Sequence, residues 1–345
     1  MIHRPRFLGP ALVLMLGLAA LLWRLDAPST AWVERVYARE LYPLLASVIV
    51  PIFGAVPISV MGLVLVMLPF GLVGMLIWSF RRRRSFWAWL WSWLWRLAAG
   101  GLVAYALFVL LWGANYRREP VEVLLDLPAG SVSPQDVEAL GQGLLGVVIR
   151  DAPGPGARNE EEALAAIRRS LEAVVRNTTG VSPTLPRGLK RLPPGMLLTF
   201  GNAGVISPWT LEPHIDGALP APAELAVGAH ELAHVAGFAG EADADLVAAL
   251  AGLQADDEYA RYATALRLFA QLAPQLDGDA YAALYERLPA EAKDDLEAMG
   301  EAAQRYLSPS AVRVVQGIYD RYLKAQGVEA GLQDYSRTIT LLTHA

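Results

Sequence analysis

The chain of 345 residues contains no cysteine. That absence excludes disulfides, thiolate metal sites and a cysteine nucleophile, and it leaves histidine and carboxylates as the strong metal ligands. It does not report a redox compartment. Histidine is scarce as well, with 5 in the whole chain. Positive charge is scarce beyond residue 118, where 17 Lys+Arg face 31 Asp+Glu, whereas residues 1–118 carry 12 against 3. Phosphate binding needs clustered Lys and Arg, so the acidic part has no footprint for nucleic acid. The switch from a basic to an acidic composition divides the chain into a segment 1–118 and a domain 119–345. Internal repeats and low-complexity tracts are absent.

Hydrophobic residues make up 54% of the chain, and they are concentrated in the first segment. A bilayer span needs about 20 apolar residues in a helix that satisfies its own backbone hydrogen bonds. Residues 7–23, 56–80 and 89–112 meet this, each flanked by arginine or tryptophan. Arg4 and Arg6, with the run 81–84, outweigh the charge-balanced loop 24–40 and place those arginines in the cytoplasm. The expectation is a multi-pass protein of the bacterial inner membrane, N-terminus cytoplasmic and C-terminal domain extracytoplasmic. A cleaved signal peptide at the N-terminus is the alternative for the first stretch, against which stands a poor cleavage site. Arg96 fits a cytoplasmic span end, where its head can reach the phosphates.

Past Pro120 the apolar spacing becomes helical. Ser133, Pro134 and Asp136 read as N-cap, first-turn proline and acidic first turn of a helix reaching about Arg150. A second helix is expected over 160–176, and others from about Glu224, Glu241, Asp257, Ala280, Glu291, Ala311 and Gly331. The segment MLLTF at 196–200 is the best strand candidate. The fold class is therefore mostly α, three transmembrane helices followed by an α-rich domain with a minor β element.

The helix from Glu224 carries HELAH at 230–234. Histidines at i and i+4 share one helix face and can hold one Zn²⁺, while Glu231 is offset to act as base toward a water at the metal. A catalytic site needs a third protein ligand and an open position. Gly237 can end the helix in a left-handed cap and return the chain, which makes Glu241 the first candidate. Asp245, one turn on, suits a second hydrogen bond to a ligating histidine; Asp243 and Asp245 are also alternative ligands. A five-residue motif arises by chance, but burying His, Glu and His within AVGAHELAHVAGF would cost several kcal/mol without a compensating partner. An intramembrane protease with Asp277 of an LDG triplet as ligand is rejected, because the apolar run around HELAH is too short to span and Asp277 reads as a cap.

These residues, together with WGANYR at 112–117, SPWTLEPHID at 207–216, HELAHVAGFAGEADADL at 230–246 and IYDRYLKAQGVEAG with DYSR near the C-terminus, give a chain that resembles the bacterial membrane proteins catalogued as domain of unknown function 3810. That family looks zincin-like. The resemblance implies three spans and an external metal-binding domain; it supplies no substrate. Asp243 and Asp245 stand where the family tends to have Glu and Asn. The expectation is a zinc metallopeptidase in which Glu231 is the general base and His230, His234 and Glu241 hold Zn²⁺. His214, Tyr335 and Arg337, in the other matched motifs, are candidate oxyanion or substrate contacts, and Trp209 and Glu212 candidate cleft walls. The expected partners are the lipid bilayer and a peptide or protein substrate; a non-peptide amide of the cell envelope, or a non-catalytic scaffold, is the alternative.

Overall fold

A computed structural model of the protein describes residues 13, 15–19, 23, 28–128, 130–154, 157–328 and 337–345. The expected first span, 7–23, lies largely outside them, as do Tyr335 and the start of the last expected helix near Gly331. The described chain is mostly helical with one small sheet.

Helix α1 is Thr30–Gly54, α2 is Val60–Arg81 and α3 is Phe86–Leu111. These three are long and apolar enough to cross a membrane. The second and third match the expected spans to within a few residues. The first corrects the sequence reading, which left 24–40 as a loop because Glu34, Arg35, Arg39 and Glu40 balance. Its middle, Val33–Leu41, is π-wound. That wider turn brings Arg39, five residues on, to Glu34 at 3.0 Å.

Helices α2 and α3 form a hairpin with few buried side chains, Trp93, Phe108 and Val109 of α3. The indole nitrogens of Trp89 and Trp93 both donate to Ser79 Oγ beside the arginine tip, at 3.0 and 2.8 Å. By contrast α1 is part of the core. Its Val33, Tyr37, Tyr42, Ala46 and Val50 are buried in one cluster with residues from the acidic half of the chain. The compositional border at 118/119 is therefore not a packing border. Arg118 is buried, holds Glu34 through two bonds of 2.9 and 3.1 Å, and donates to the Gly237 carbonyl at 3.0 Å.

After a 3-10 turn at Gly113–Arg117 and a short turn of helix at Val121–Leu124 come α4 (Pro134–Asp151) and α5 (Glu160–Thr179). The expected capping box at Ser133 and Asp136 is present. Strands β1 (Lys190–Leu192), β2 (Gly204–Ile206) and β3 (Pro213–Asp216) make a sheet in the order β1-β3-β2, with β1 parallel and β2 antiparallel to β3. Then follow α6 (Ala221–Val235), α7 (Glu241–Leu253), α8 (Glu258–Gln271), α9 (Gly278–Glu286), α10 (Ala290–Tyr306), α11 (Pro309–Gln326) and α12 (Arg337–His344). Helix α6 is buried on every side from Pro222 to Val235, the environment an all-round apolar helix requires. Small residues permit it: a Cβ on Gly228 would meet Leu189 Cδ1 at 2.5 Å.

The strand expected at 196–200 is not one. That stretch is a turn leading into a 3-10 helix at Leu198–Phe200. Its extended pairing is pre-empted by Asp216, whose carboxylate accepts from the backbone N–H groups of Gly195, Leu197 and Leu198 at 2.7, 2.7 and 3.1 Å, and from Ala218 at 2.9 Å. Burial alone would raise the Asp216 carboxyl; these donors hold it below the ordinary carboxylate value.

Asp216→Ala should cost about 3 kcal/mol, as loss of hydrogen bonds to a charged group does. The Asp216 contribution should be complete above the unfolded carboxyl pKa of about 3.9 and vanish as pH falls through the lower folded value, read as thermal melts in detergent from neutral to acid pH. A fragment beginning at Pro120 lacks Tyr42, Trp112 and Arg118 and should fail to fold by circular dichroism, and Glu34→Ala in the full chain should cost about 3–5 kcal/mol by stranding Arg118.

Candidate metal centre

Residues of α6 four apart share a face, and that face presents His230 and His234 to the start of α7. Gly237 has φ +94°, the left-handed cap the sequence suggested, and Phe238 N–H closes the turn on the Ala233 carbonyl at 3.2 Å. The chain thus reverses and α7 begins with Glu241. His230 Nε2 lies 3.2 Å and His234 Nε2 3.5 Å from the same oxygen, Glu241 Oε2. Ligand atoms about 2.0–2.1 Å from a tetrahedral ion are about 3.3 Å apart, so these separations suit a shared ion. His230, His234 and Glu241, all buried, form a group able to hold a metal.

The other ring nitrogens are fixed. His230 Nδ1 donates to Asp245 Oδ1 at 2.7 Å, and His234 Nδ1 to the Phe238 carbonyl at 2.7 Å. Each leaves Nε2 facing Glu241, where a metal would take its lone pair. Asp245 is held in turn by Arg267 at 3.3 Å and by the Thr338 hydroxyl at 3.1 Å. Burial alone would lower the His230 pKa; Asp245 and Glu241 override it and push it up to about 10. The same attraction holds Glu241 well below the usual carboxylate range against its burial. The cluster is built to draw positive charge. Asp243 lies outside it, turned over Gly240 at the start of α7.

Glu231 stands beside this group on a different footing. It is buried, and its Oε2 has no hydrogen-bond partner among the described residues. Burial raises its carboxyl above the usual range, the two histidines opposing only in part. Gly204, first residue of β2, packs directly on it, and a Cβ there would overlap Glu231 Oε1. An orphaned acceptor one residue from a candidate ligand is where a water at a metal would be engaged, so the residues present fit a metal ion.

Two adjoining cavities of about 220 and 340 Å³ share Asn202, Gly204, His230, Glu231 and Tyr319. The first is walled by Trp112 and Tyr116, the second by Arg267 and Gln316. Tyr319 was not singled out from the sequence. It lies in IYDRY on α11, 78 residues from Glu241, and its hydroxyl donates to Glu241 Oε1, leaving Oε2 for the histidines. Trp112 meets the His234 ring edge-on at 5.9 Å, and the Tyr42 hydroxyl donates to the Val235 carbonyl at 2.8 Å.

The remaining sequence candidates go elsewhere. His214 bonds Ser59 Oγ at 2.8 Å and the Val205 carbonyl at 3.2 Å, so both its nitrogens are engaged and it lines neither cavity. Glu212 accepts from the N–H groups of Val60 and Met61, both at 2.9 Å, capping α2. Trp209 donates to the Ala104 carbonyl of α3 at 3.2 Å. Arg337 pairs with Glu122. These residues join the domain to its hairpin and its C-terminus, and they do not converge on Glu231.

Purified full-length protein should bind about one equivalent of a divalent metal ion, measured by inductively coupled plasma mass spectrometry, as expected of one three-residue site. His230→Ala, His234→Ala and Glu241→Ala should lose it, Glu231→Gln should keep it, and Asp245→Ala should weaken it by about 10–100-fold, the usual effect of removing a histidine's outer partner.

No curated protein and no solved structure matches the chain. The model of one family, described as a protein of unknown function (DUF3810), matches residues 37–343, from the middle of α1 to within the last helix. The matched region thus takes in the hairpin and the candidate metal group together, and the chain belongs to that family.

Proposed function

We propose that the protein is a membrane-anchored zinc metallopeptidase. The observation that carries this reading is the unpartnered Glu231 carboxylate beside two histidine nitrogens and a carboxylate oxygen at metal-ligand spacing. When bound, zinc supplies Lewis acidity, making water acidic near neutral pH and polarising a carbonyl. Glu231, its pKa raised toward the working range, takes a proton from the attacking water and passes it to the leaving amine. The peptide C–N bond breaks, the water oxygen goes to the carbonyl carbon, and the amine leaves neutral. Tyr319 and Asp245 hold Glu241 and His230 in place throughout.

A peptide substrate is favoured over other amides by the sheet. β2 is an edge strand and its three residues line the cavity beside Glu231. An extended peptide can add to such an edge by main-chain hydrogen bonds and so lie across the site. The strand role expected for 196–200 passes to β2.

The hairpin of α2 and α3 is the proposed anchor. At about 1.5 Å per residue its legs of 22 and 26 residues span a hydrocarbon layer of about 30 Å. The arginine tip at 81–84 marks the cytoplasmic end, which places the metal-binding domain outside. Helix α1, packed into that domain, belongs with it.

The test is hydrolysis of a peptide library by full-length zinc-loaded protein, products identified by mass spectrometry. Glu231→Gln should retain zinc and lose about 10²–10⁴-fold in kcat. Zinc-loaded wild type that cuts no peptide while cutting an amide of cell-envelope type would favour the other hydrolase reading.

A further inference from the structure

The cavity beside the metal centre rests on the membrane hairpin itself. Trp112, which follows the last residue of α3, packs on His234 and lines the cavity, and Phe108, one turn further in, packs against the two segments that supply much of the rest of the lining. Trp209 of the β2–β3 loop meets the Phe108 ring at 6.2 Å, and Tyr322 of α11 meets it at the same distance. Trp209 also bonds the carbonyl of Ala104, seven residues before the end of α3, or about 10 Å down the helix at 1.5 Å per residue. The other leg enters the domain at Val60, bonded to Glu212 beside β3. With the arginine tip at one interface, about 33 Å of α2 brings Val60 to the other.

A second observation is independent of the hairpin. Past residue 118, nine large hydrophobic side chains are exposed among the described residues, and seven belong to the two segments that wall the cleft. Met196, Phe200, Val205 and Trp209 fall in the stretch 196–209, which lines the cavities between Gly201 and Pro208, and Leu307, Val314 and Ile318 fall in the stretch that reaches the lining residues Val315, Gln316 and Tyr319; Val205 is itself a lining residue. Exposed apolar side chains gathered on the segments that line a site mark a surface that meets another apolar phase, and Trp209, bonded to the α3 backbone, suits the headgroup layer.

We propose that the cleft works at the membrane surface, on polypeptides anchored in the same bilayer and cut close to where they leave it. This rests on the metallopeptidase reading and on the hairpin being the anchor. Substrate sharing the bilayer reaches the cleft at high effective concentration, while folded proteins in bulk solvent meet a mouth turned to lipid. Selection by location explains how an extended-strand site of low sequence demand avoids general proteolysis.

The experiment uses full-length protein in phosphatidylethanolamine–phosphatidylglycerol vesicles with three substrate pools. Each carries the same randomised twelve-residue stretch: next to a single transmembrane anchor, separated from it by a Gly-Ser spacer of twenty residues, or free of any anchor. Mass spectrometry reads the cleavage, with Glu231→Gln as control. Cleavage next to the anchor at least tenfold faster than in the other two pools is the expected result. Equal cleavage of the anchor-free pool overturns the inference and leaves the peptidase reading standing; no cleavage of any pool overturns both. A readout independent of activity uses the cysteine-free background: a nitroxide at Ile318→Cys should lie at headgroup depth by oxygen and nickel-chelate accessibility. A label in bulk water overturns the proposal whatever the rates.

Discussion

Between His234 and Glu241 the chain reverses direction within six residues, and the left-handed backbone at Gly237 makes the reversal possible. Any side chain there would be strained, and its Cβ would sit 2.9 Å from the Tyr42 ring. The turn is held at several points. The carbonyl of Val235 accepts from Tyr42, that of Gly237 from Arg118, and that of Phe238 from His234 Nδ1. The last bond serves two ends, because it satisfies a buried carbonyl and sets the direction of a ligand's lone pair. Fixing α7 against α6 in this way puts Glu241 opposite both histidines.

Two of those holds come from the part of the chain before residue 119. Tyr42 belongs to α1 and Arg118 follows α3, and Glu34 of α1 neutralises Arg118 in the interior. A buried guanidinium without that partner would be strongly unfavourable. The upstream segment therefore builds the turn on which the candidate metal group depends as well as carrying the apolar hairpin.

What the sequence made legible was local. The i, i+4 histidines, the glycine turn, Glu241 and Asp245 lie within sixteen residues of one another, so helix geometry and one cap related them in advance. Two expected spans, the capping box at Ser133 and most helix starts were readable for the same reason. What escaped was set by distant partners. Helix α1 looked like a loop because its charges seemed to need water, whereas Arg118 waits 84 residues away. The 196–200 segment has strand-like residues, yet Asp216 claims its amides. His214 and Arg337 were candidates by chemistry alone, and Ser59 and Glu122 take them. Tyr319 reaches Glu241 only through tertiary packing.

Glu212 sits at the head of α2, and its two oxygens receive the first N–H groups of that helix. An anion there complements the positive end of the helix dipole, so the strand beside the site and one leg of the hairpin share a stiff joint. The other leg is seated separately through Trp112 and Arg118. A domain hung from a single helix can swivel about it; one clamped to both legs of a hairpin has lost that freedom. With the hairpin as the proposed anchor, the height of the domain above the lipid and its bearing toward it would be set by the same contacts that hold the fold together, with no linker left to vary either.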